Sequence, residues 1–233
     1  MFVMQLVIDD ITIEVTKKNI KNINLYVKQP DGCVVITAPH TVSDQKIAQF
    51  AQKHLTWIKA KQTKIQRLPK PKINQYQTGD TLYLFGQPYQ IELQYHKHKY
   101  AIQLEEDKVI LQVRENSTTA QREHYITEWY RNLLKQEIQR LILTWQQQLD
   151  LHAHSWQIKK MKTKWGYCDI SKQKLVFNLQ LAQKPLEFLE YVILHELLHL
   201  KVPHHGQAFI ALLDQYMPQW KEIEQTHKRT TTP

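Results

Sequence analysis

Residues 185–201 read as one helix of unusual make-up. Pro185 suits a first helical turn, Glu187 favours the positive N-terminal end, and Pro203 marks the stop. Leu189, Val192, Ile193, Leu197 and Leu200 give the segment a buried character. Its last turns nevertheless carry His195-Glu196-Leu197-Leu198-His199, an HExxH pentapeptide. Residues four apart share a helix face, so His195 and His199 point the same way and can hold one metal ion. Glu196 sits about 100° around the axis from His195, beside such an ion rather than on it. That is where a base must stand to take a proton from a metal-activated water. Chance placement of twelve His and thirteen Glu over 233 positions gives about 0.03 such pentapeptides, so accident is a poor account. Two histidines and a glutamate in a buried helix would also be costly without partners.

A catalytic zinc takes three protein ligands and keeps one open position. Beyond Pro203 the chain offers His204 and His205, and Gly206 lets it turn back. Adjacent side chains do not both face one ion. His205, which completes HExxH-x5-H, is the preferred third ligand, and His204 is left to orient substrate or face solvent. The same spacing occurs in metzincins, but these need Gly where Val202 stands, and Met217-Pro218 makes a poor Met-turn. Candidates for stabilising an oxyanion are Tyr216, His204 and Tyr167.

The chain is long enough for one large domain or two small ones. Its two cysteines, Cys33 and Cys168, exclude a disulfide framework and a four-cysteine zinc site, and they read as two buried thiols. Met1 to Ile8 carries no basic flank and meets Asp9-Asp10, so it is not read as a secretory leader. No apolar run spans a bilayer. A cytoplasmic protein with no membrane partner is expected. The net charge of +9 and pI near 9.4 favour anionic partners without choosing among them. Lys160, Lys162 and Lys164, on one face if 157–164 is a strand, offer phosphates a contact or simply form a solvated face.

The expected organisation is α+β with no internal repeat. Residues 1–115 form a β-rich region with a helix. Leu6 to Val15 reads as strand broken at Asp9-Asp10, and Asn24–Lys28 and Cys33–Ala38 flank a turn at Asp31-Gly32. Ser43 caps a helix from Asp44 to Ile65. Arg67 to Tyr76 looks like a linker, and residues 81–113 like a meander of short strands. In residues 116–233, Asn116-Ser117-Thr118 opens a long helix reaching about Leu149, whose apolar stripe includes Tyr125, Trp129, Leu133, Ile138, Leu141 and Trp145. Strands follow near 156–162, 165–169 and 174–179, then helices over 185–201 and 207–224. His152 and His154 read as surface residues, and Trp165 as packing.

Lys164-Trp165-Gly166-Tyr167-Cys168, Leu175 to Leu179 with Asn178, His195 to His199, His205, Phe209 and Tyr216-Met217-Pro218 together resemble the YgjP-like family of small zinc metallopeptidases, relatives of the SprT and WLM groups. Ala38-Pro39, Trp57, Gly79 and Gly86 extend the resemblance towards the N-terminus. The family's usual Arg-Trp-Gly-Ser-Cys differs here at Lys164 and Tyr167. The resemblance implies a zincin-like catalytic module with a small sheet, a long helix and an HExxH active-site helix. It implies Zn2+ on His195, His199 and His205, Glu196 as catalytic acid and base, and a protein or peptide substrate. By likeness to other zinc peptidases, Lys174 to Leu179 is a candidate edge strand for pairing with extended substrate. A zinc amidohydrolase acting on a non-peptide substrate, and a nucleic-acid-associated zinc-binding protein, are the competing readings.

Overall fold

Alternating apolar and polar residues build the first hairpin of the computed structural model, which describes residues 3–28, 31–67, 74–97 and 100–228. Strands β1 (Val3–Ile8) and β2 (Ile11–Lys18) pair antiparallel around Asp9-Asp10, with Asp9 in the left-handed region at φ 51°. Ile11, Ile13 and Val15 face inwards while Thr12 and Glu14 stay exposed, the period of two that a half-buried strand requires. The expected hairpin β3 (Asn24–Lys28) and β4 (Cys33–Pro39) is present, and β4 adds to β2 in parallel, giving the order β1-β2-β4-β3. Helices α1 (Asp44–Lys53) and α2 (Leu55–Gln66) follow. Ser43 caps α1 by accepting from the Lys46 N–H. The single helix expected over 44–65 is thus two, broken at His54, whose N–H reaches back only three residues to the Ala51 carbonyl. No Pro or Gly marks the break. Ile47, Ala51 and Ile58 pack on Ile13, Val15, Val34 and Ile36 as this unit's core.

The chain forms two compact units, Met1–Ile73 and Asn74–Pro233. This boundary falls within the Pro-containing segment read as a linker. The second unit opens with β5 (Thr81–Leu84), β6 (Gln87–Tyr95), β7 (Ala101–Leu104) and β8 (Lys108–Val113) in the order β5-β6-β8-β7. A meander would pair β6 with β7. Instead β6 pairs β8 in parallel, and β7 lies outside β8. The four-strand pattern of the first unit therefore recurs, a repeat that no sequence likeness announces.

Helix α3 (Thr119–Leu149) starts with a capping box between Thr118 and Gln121. Arg122, nearly buried, donates to the carbonyls of Ser117 and Gln75, and the Tyr130 hydroxyl donates to the Tyr83 carbonyl. These bonds fasten the segment before β5, and β5 itself, to the helix. The buried stripe runs through Ile126, Tyr130, Leu134, Ile138, Leu141 and Trp145. Its first half is one residue out from the expected Tyr125, Trp129 and Leu133, which are half-buried beside it. Tyr125 instead stacks on Tyr100.

Strands β9 (Ser155–Lys159), β10 (Gly166–Asp169) and β11 (Lys174–Asn178) form a small sheet in the order β10-β11-β9. So β11 is central, not an edge, and β10 and β9 are the two edge strands. Helix α4 (Leu186–Leu198) is apolar almost all round and runs through the core, and α5 (Gln207–Tyr216) and α6 (Trp220–Lys228) close the unit. The helix expected over 207–224 is divided because Pro218 cannot continue it. The architecture is α+β, as expected. No described helix is long and apolar enough to cross a membrane.

Candidate metal centre

Helix α4 presents His195 and Glu196 in its last turn, with His199 as its C-terminal cap. The ring centroids of His195 and His199 are 4.9 Å apart. The chain then tightens: the Val202 N–H bonds to the Leu198 carbonyl, Pro203 blocks further helix, and the Gly206 N–H bonds to the His204 carbonyl. This turn returns His205 to the helix face. His205 Nε2 stands 2.9 Å from His195 Nε2, and the His205 ring lies 4.6 Å from that of His199. One nitrogen from each of the three histidines falls within 4.8 Å of the others. His204 is exposed and outside the cluster.

Phe209, 1 % exposed on α5, lies 4.8–4.9 Å from all three imidazole centroids and closes the cluster from behind. His199 Nδ1 is 3.2 Å from the Val202 carbonyl. Donation there puts the proton on Nδ1 and leaves Nε2 as a lone-pair ligand, the usual outer support of a metal-binding histidine. Burial lowers the pKa of His199, which favours the neutral ring that a metal needs.

This donor set fits a divalent ion that accepts imidazole. Metal–nitrogen bonds of about 2.05 Å in a tetrahedron would place nitrogens about 3.3 Å apart, close to the 2.9 Å between His195 and His205. The group contains no fourth His, Cys, Asp or Glu among the described residues. A three-ligand set with a carboxylate alongside has the form of a catalytic site rather than a closed structural one.

Glu196 is 7 % exposed. Burial pushes its carboxyl up to about 8, opposed by the charge of Lys164 and by the Cys168 backbone N–H, which donates to it. Gly166 explains how the carboxylate fits. A Cβ on Gly166 would lie 2.9 Å from both Cγ and Oε1 of Glu196, and 3.1 Å from a Val192 methyl. The missing side chain is therefore the space that Glu196 occupies.

Asn178 fixes the segment leading to Gly166. Its amide donates to the carbonyls of Met161 and Lys164, and its Oδ1 accepts from the N–H groups of Met161 and Gln180. Residues 160–165 are consequently a stapled loop. The strand expected over 156–162 ends at Lys159, so the shared face proposed for Lys160, Lys162 and Lys164 does not form. Lys160 pairs with Glu123, and Lys164 lies near the Tyr167 ring.

Three cavities adjoin the cluster. One of about 210 Å³ is lined by Trp165, Phe188, Tyr191, Val192, His195 and Glu196. A second, of about 390 Å³, lies against Tyr191, Phe209, Leu213 and Trp220. The third, of about 310 Å³, runs along Tyr167, Cys168, Ile170 and Pro203 past the histidines. Trp165 thus packs edge-on against Phe188 and also borders the site. Tyr167 lines the third cavity, whereas Tyr216 packs edge-on against Trp145 and lines none of the three. His152 and His154 are exposed and join no metal group. Sequence reasoning missed the roles of Gly166, Asn178, Phe209 and Tyr191. The Trp-Gly pair was the available signal for the first, since a lone Gly at a strand start often marks a close approach.

Two solved structures resemble part of the chain. The metallopeptidase zymogen jannalysin of Methanocaldococcus jannaschii is 26 % identical, with a TM-score of 0.38, over 41 % of this chain and 91 % of that one. The metallopeptidase zymogen abylysin of Pyrococcus abyssi is 19 % identical, with a TM-score of 0.38, over 40 % of this chain and 94 % of that one. No curated protein matches the sequence. The model of the YgjP-like metallopeptidase domain matches residues 21–230, and the family implies a divalent metal and a peptide substrate. The chain belongs to the YgjP-like metallopeptidase family.

Proposed function

We propose that this metallopeptidase is a zinc enzyme of the HExxH type, with residues 74–233 as its catalytic module. His195, His199 and His205 hold the ion, and Glu196 is the general base. The observation that carries the reading is the convergence of three imidazole nitrogens within 4.8 Å beside one buried carboxylate. Two free cysteines accord with a cytoplasmic setting.

Zinc, when bound, polarises the scissile carbonyl and acidifies the attacking water. The ionised form of Glu196, whose carboxyl burial otherwise raises to about 8, would be favoured by a cation on the three histidines, and that carboxylate takes the proton from the water and delivers it to the leaving amine nitrogen. The Cys168 N–H holds one end of this carboxylate, and Gly166 sets how close it stands to β10. Tyr167, on the cavity wall, is the candidate to steady the oxyanion.

The substrate backbone has a natural seat on β10. The Trp165 carbonyl faces β11, where it accepts from the Asn178 N–H. By alternation, the N–H and carbonyl of Gly166 and the carbonyl of Cys168 face the free edge, the Cys168 N–H being held by Glu196. An extended protein or peptide substrate adds there as a further strand.

The test is metal analysis with casein cleavage on wild type, His199→Ala and Glu196→Gln. About one zinc per chain is expected in wild type and Glu196→Gln, zinc is lost in His199→Ala, and only wild type cleaves. Wild type that stays zinc-free after reconstitution would overturn the reading.

A further inference from the structure

Positive charge is not spread along this chain. Residues 1–73 hold twelve Lys and Arg against five Asp and Glu, a net +7 of the total +9, so residues 74–233 carry only +2. Three of those five carboxylates are already engaged: Asp9 and Asp10 with Lys59, and Asp44 with Lys17. Helix α2 contains no acidic residue. Its inner face is spent on the core through Ile58 and Ile65. Trp57, Lys61 and Lys64 stand at i, i+4 and i+7 on an outer stripe, and all three are exposed. Trp57 is 45 % exposed. Lys61 and Lys64 have no carboxylate partner among the described residues.

We propose that this stripe binds single-stranded nucleic acid, with the Trp57 indole stacking on an unpaired base and Lys61 and Lys64 neutralising phosphates. The helix rise places Lys61 about 6 Å along the axis from Trp57 and Lys64 about 4.5 Å further. One platform and the adjoining phosphates therefore lie within reach of a single short segment. An exposed aromatic ring beside cations is the chemistry that holds single strands without regard to sequence. A membrane surface fits less well. A helix lying in the headgroup region needs a broad apolar face, and that of α2 is consumed internally, leaving one aromatic residue outside. A duplex offers the indole no unstacked base. The site lies within the first unit and owes nothing to the metal cluster, so it stands or falls separately from the zinc reading.

The experiment is fluorescence anisotropy of labelled oligo-dT and oligo-U with the full-length protein, repeated from about 50 to 200 mM salt. Wild type should bind saturably and prefer single strand to duplex. Lys61→Gln/Lys64→Gln should flatten the log–log salt slope by about 1.4, since each single-strand phosphate contact contributes about 0.7. Trp57→Ala should weaken binding roughly 5- to 150-fold with the slope unchanged, and Trp57→Phe should restore most of it. Circular dichroism of each variant should match wild type, because the three side chains are on the surface. The proposal is overturned by absence of saturable binding at low salt, by variants that bind like wild type, or by phosphatidylserine vesicles outcompeting the oligonucleotides.

Discussion

Strands β1–β4 with α1, and strands β5–β8 with α3, share one wiring diagram and put it to different ends. In each, an antiparallel hairpin is joined in parallel by the last of the four strands, whose other neighbour is the third, and a helix follows. The difference lies in the helices. After β4 the helix stops at His54 and restarts as α2, and the unit ends soon afterwards. After β8 the helix runs 31 residues, about 46 Å at 1.5 Å per residue. Its first half, through Tyr130, serves the strands, and its second half serves the metal helix, where the Trp145 indole N–H donates to the Glu190 carboxylate. A sheet-and-helix unit becomes the frame of an active site when its helix outruns its sheet.

This contrast can be broken most severely by truncation. A chain starting at Ser117 lacks β5–β8, which strips the cover from Ile126, Tyr130 and Leu134 and removes Gly86, which packs on Pro185 at the start of α4. It should fail to accumulate as folded protein. A chain starting at Asn74 keeps all of these contacts and should fold and bind about one zinc. Soluble yield, circular dichroism and metal content decide between them, and a folded, zinc-binding chain from Ser117 would show that the second sheet is dispensable.

Next come matched core deletions. Ile58→Ala and Ile138→Ala each remove a fully buried side chain, at about 2–5 kcal/mol in urea unfolding. Only Ile138→Ala should also weaken zinc retention in a chelator competition. Equal zinc loss in both variants would mean that the first unit supports the site as much as α3 does. A third variant sharpens the part that β10 plays. Gly166→Ala forces Glu196 off its position, so kcat should fall about 100-fold, equivalent to about 2.7 kcal/mol, with zinc stoichiometry unchanged. Unaltered kcat would remove Glu196 placement from the role of Gly166. The smallest effects belong to the two N-caps. Ser43→Ala and Thr118→Ala should each cost about 1 kcal/mol, with kcat untouched in both, because they act at helix starts far along the chain from the metal helix.

Much of the site was legible because it is local. The spacing of His195, Glu196 and His199 on one helix, and the return of His205 after Pro203, are written within eleven residues, and helical periodicity turns that spacing into geometry. The helix cap at Ser43, and the β3–β4 hairpin, are local too. What escaped was set by partners distant in sequence. Nothing in β6 announces a parallel partnership with β8, and nothing in β11 says that it has a neighbour on each side. The break at His54 has no Pro or Gly to signal it. Gly166 is a gap shaped for Glu196, thirty residues away, and only the folded chain shows what fills it.

Asn178 leaves a last consequence. Its side chain has two N–H donors and two acceptor lone pairs, and all four are committed to the backbone around residues 161–164 and 180. Turning the amide over would set donor against donor and acceptor against acceptor, so the group has a single acceptable orientation. The loop it grips, and with it one wall of the substrate cleft, is already ordered before anything binds. A peptide docking on β10, as proposed, would meet a surface whose conformational entropy was surrendered when the protein folded, and the free energy of docking would not be spent on arranging it.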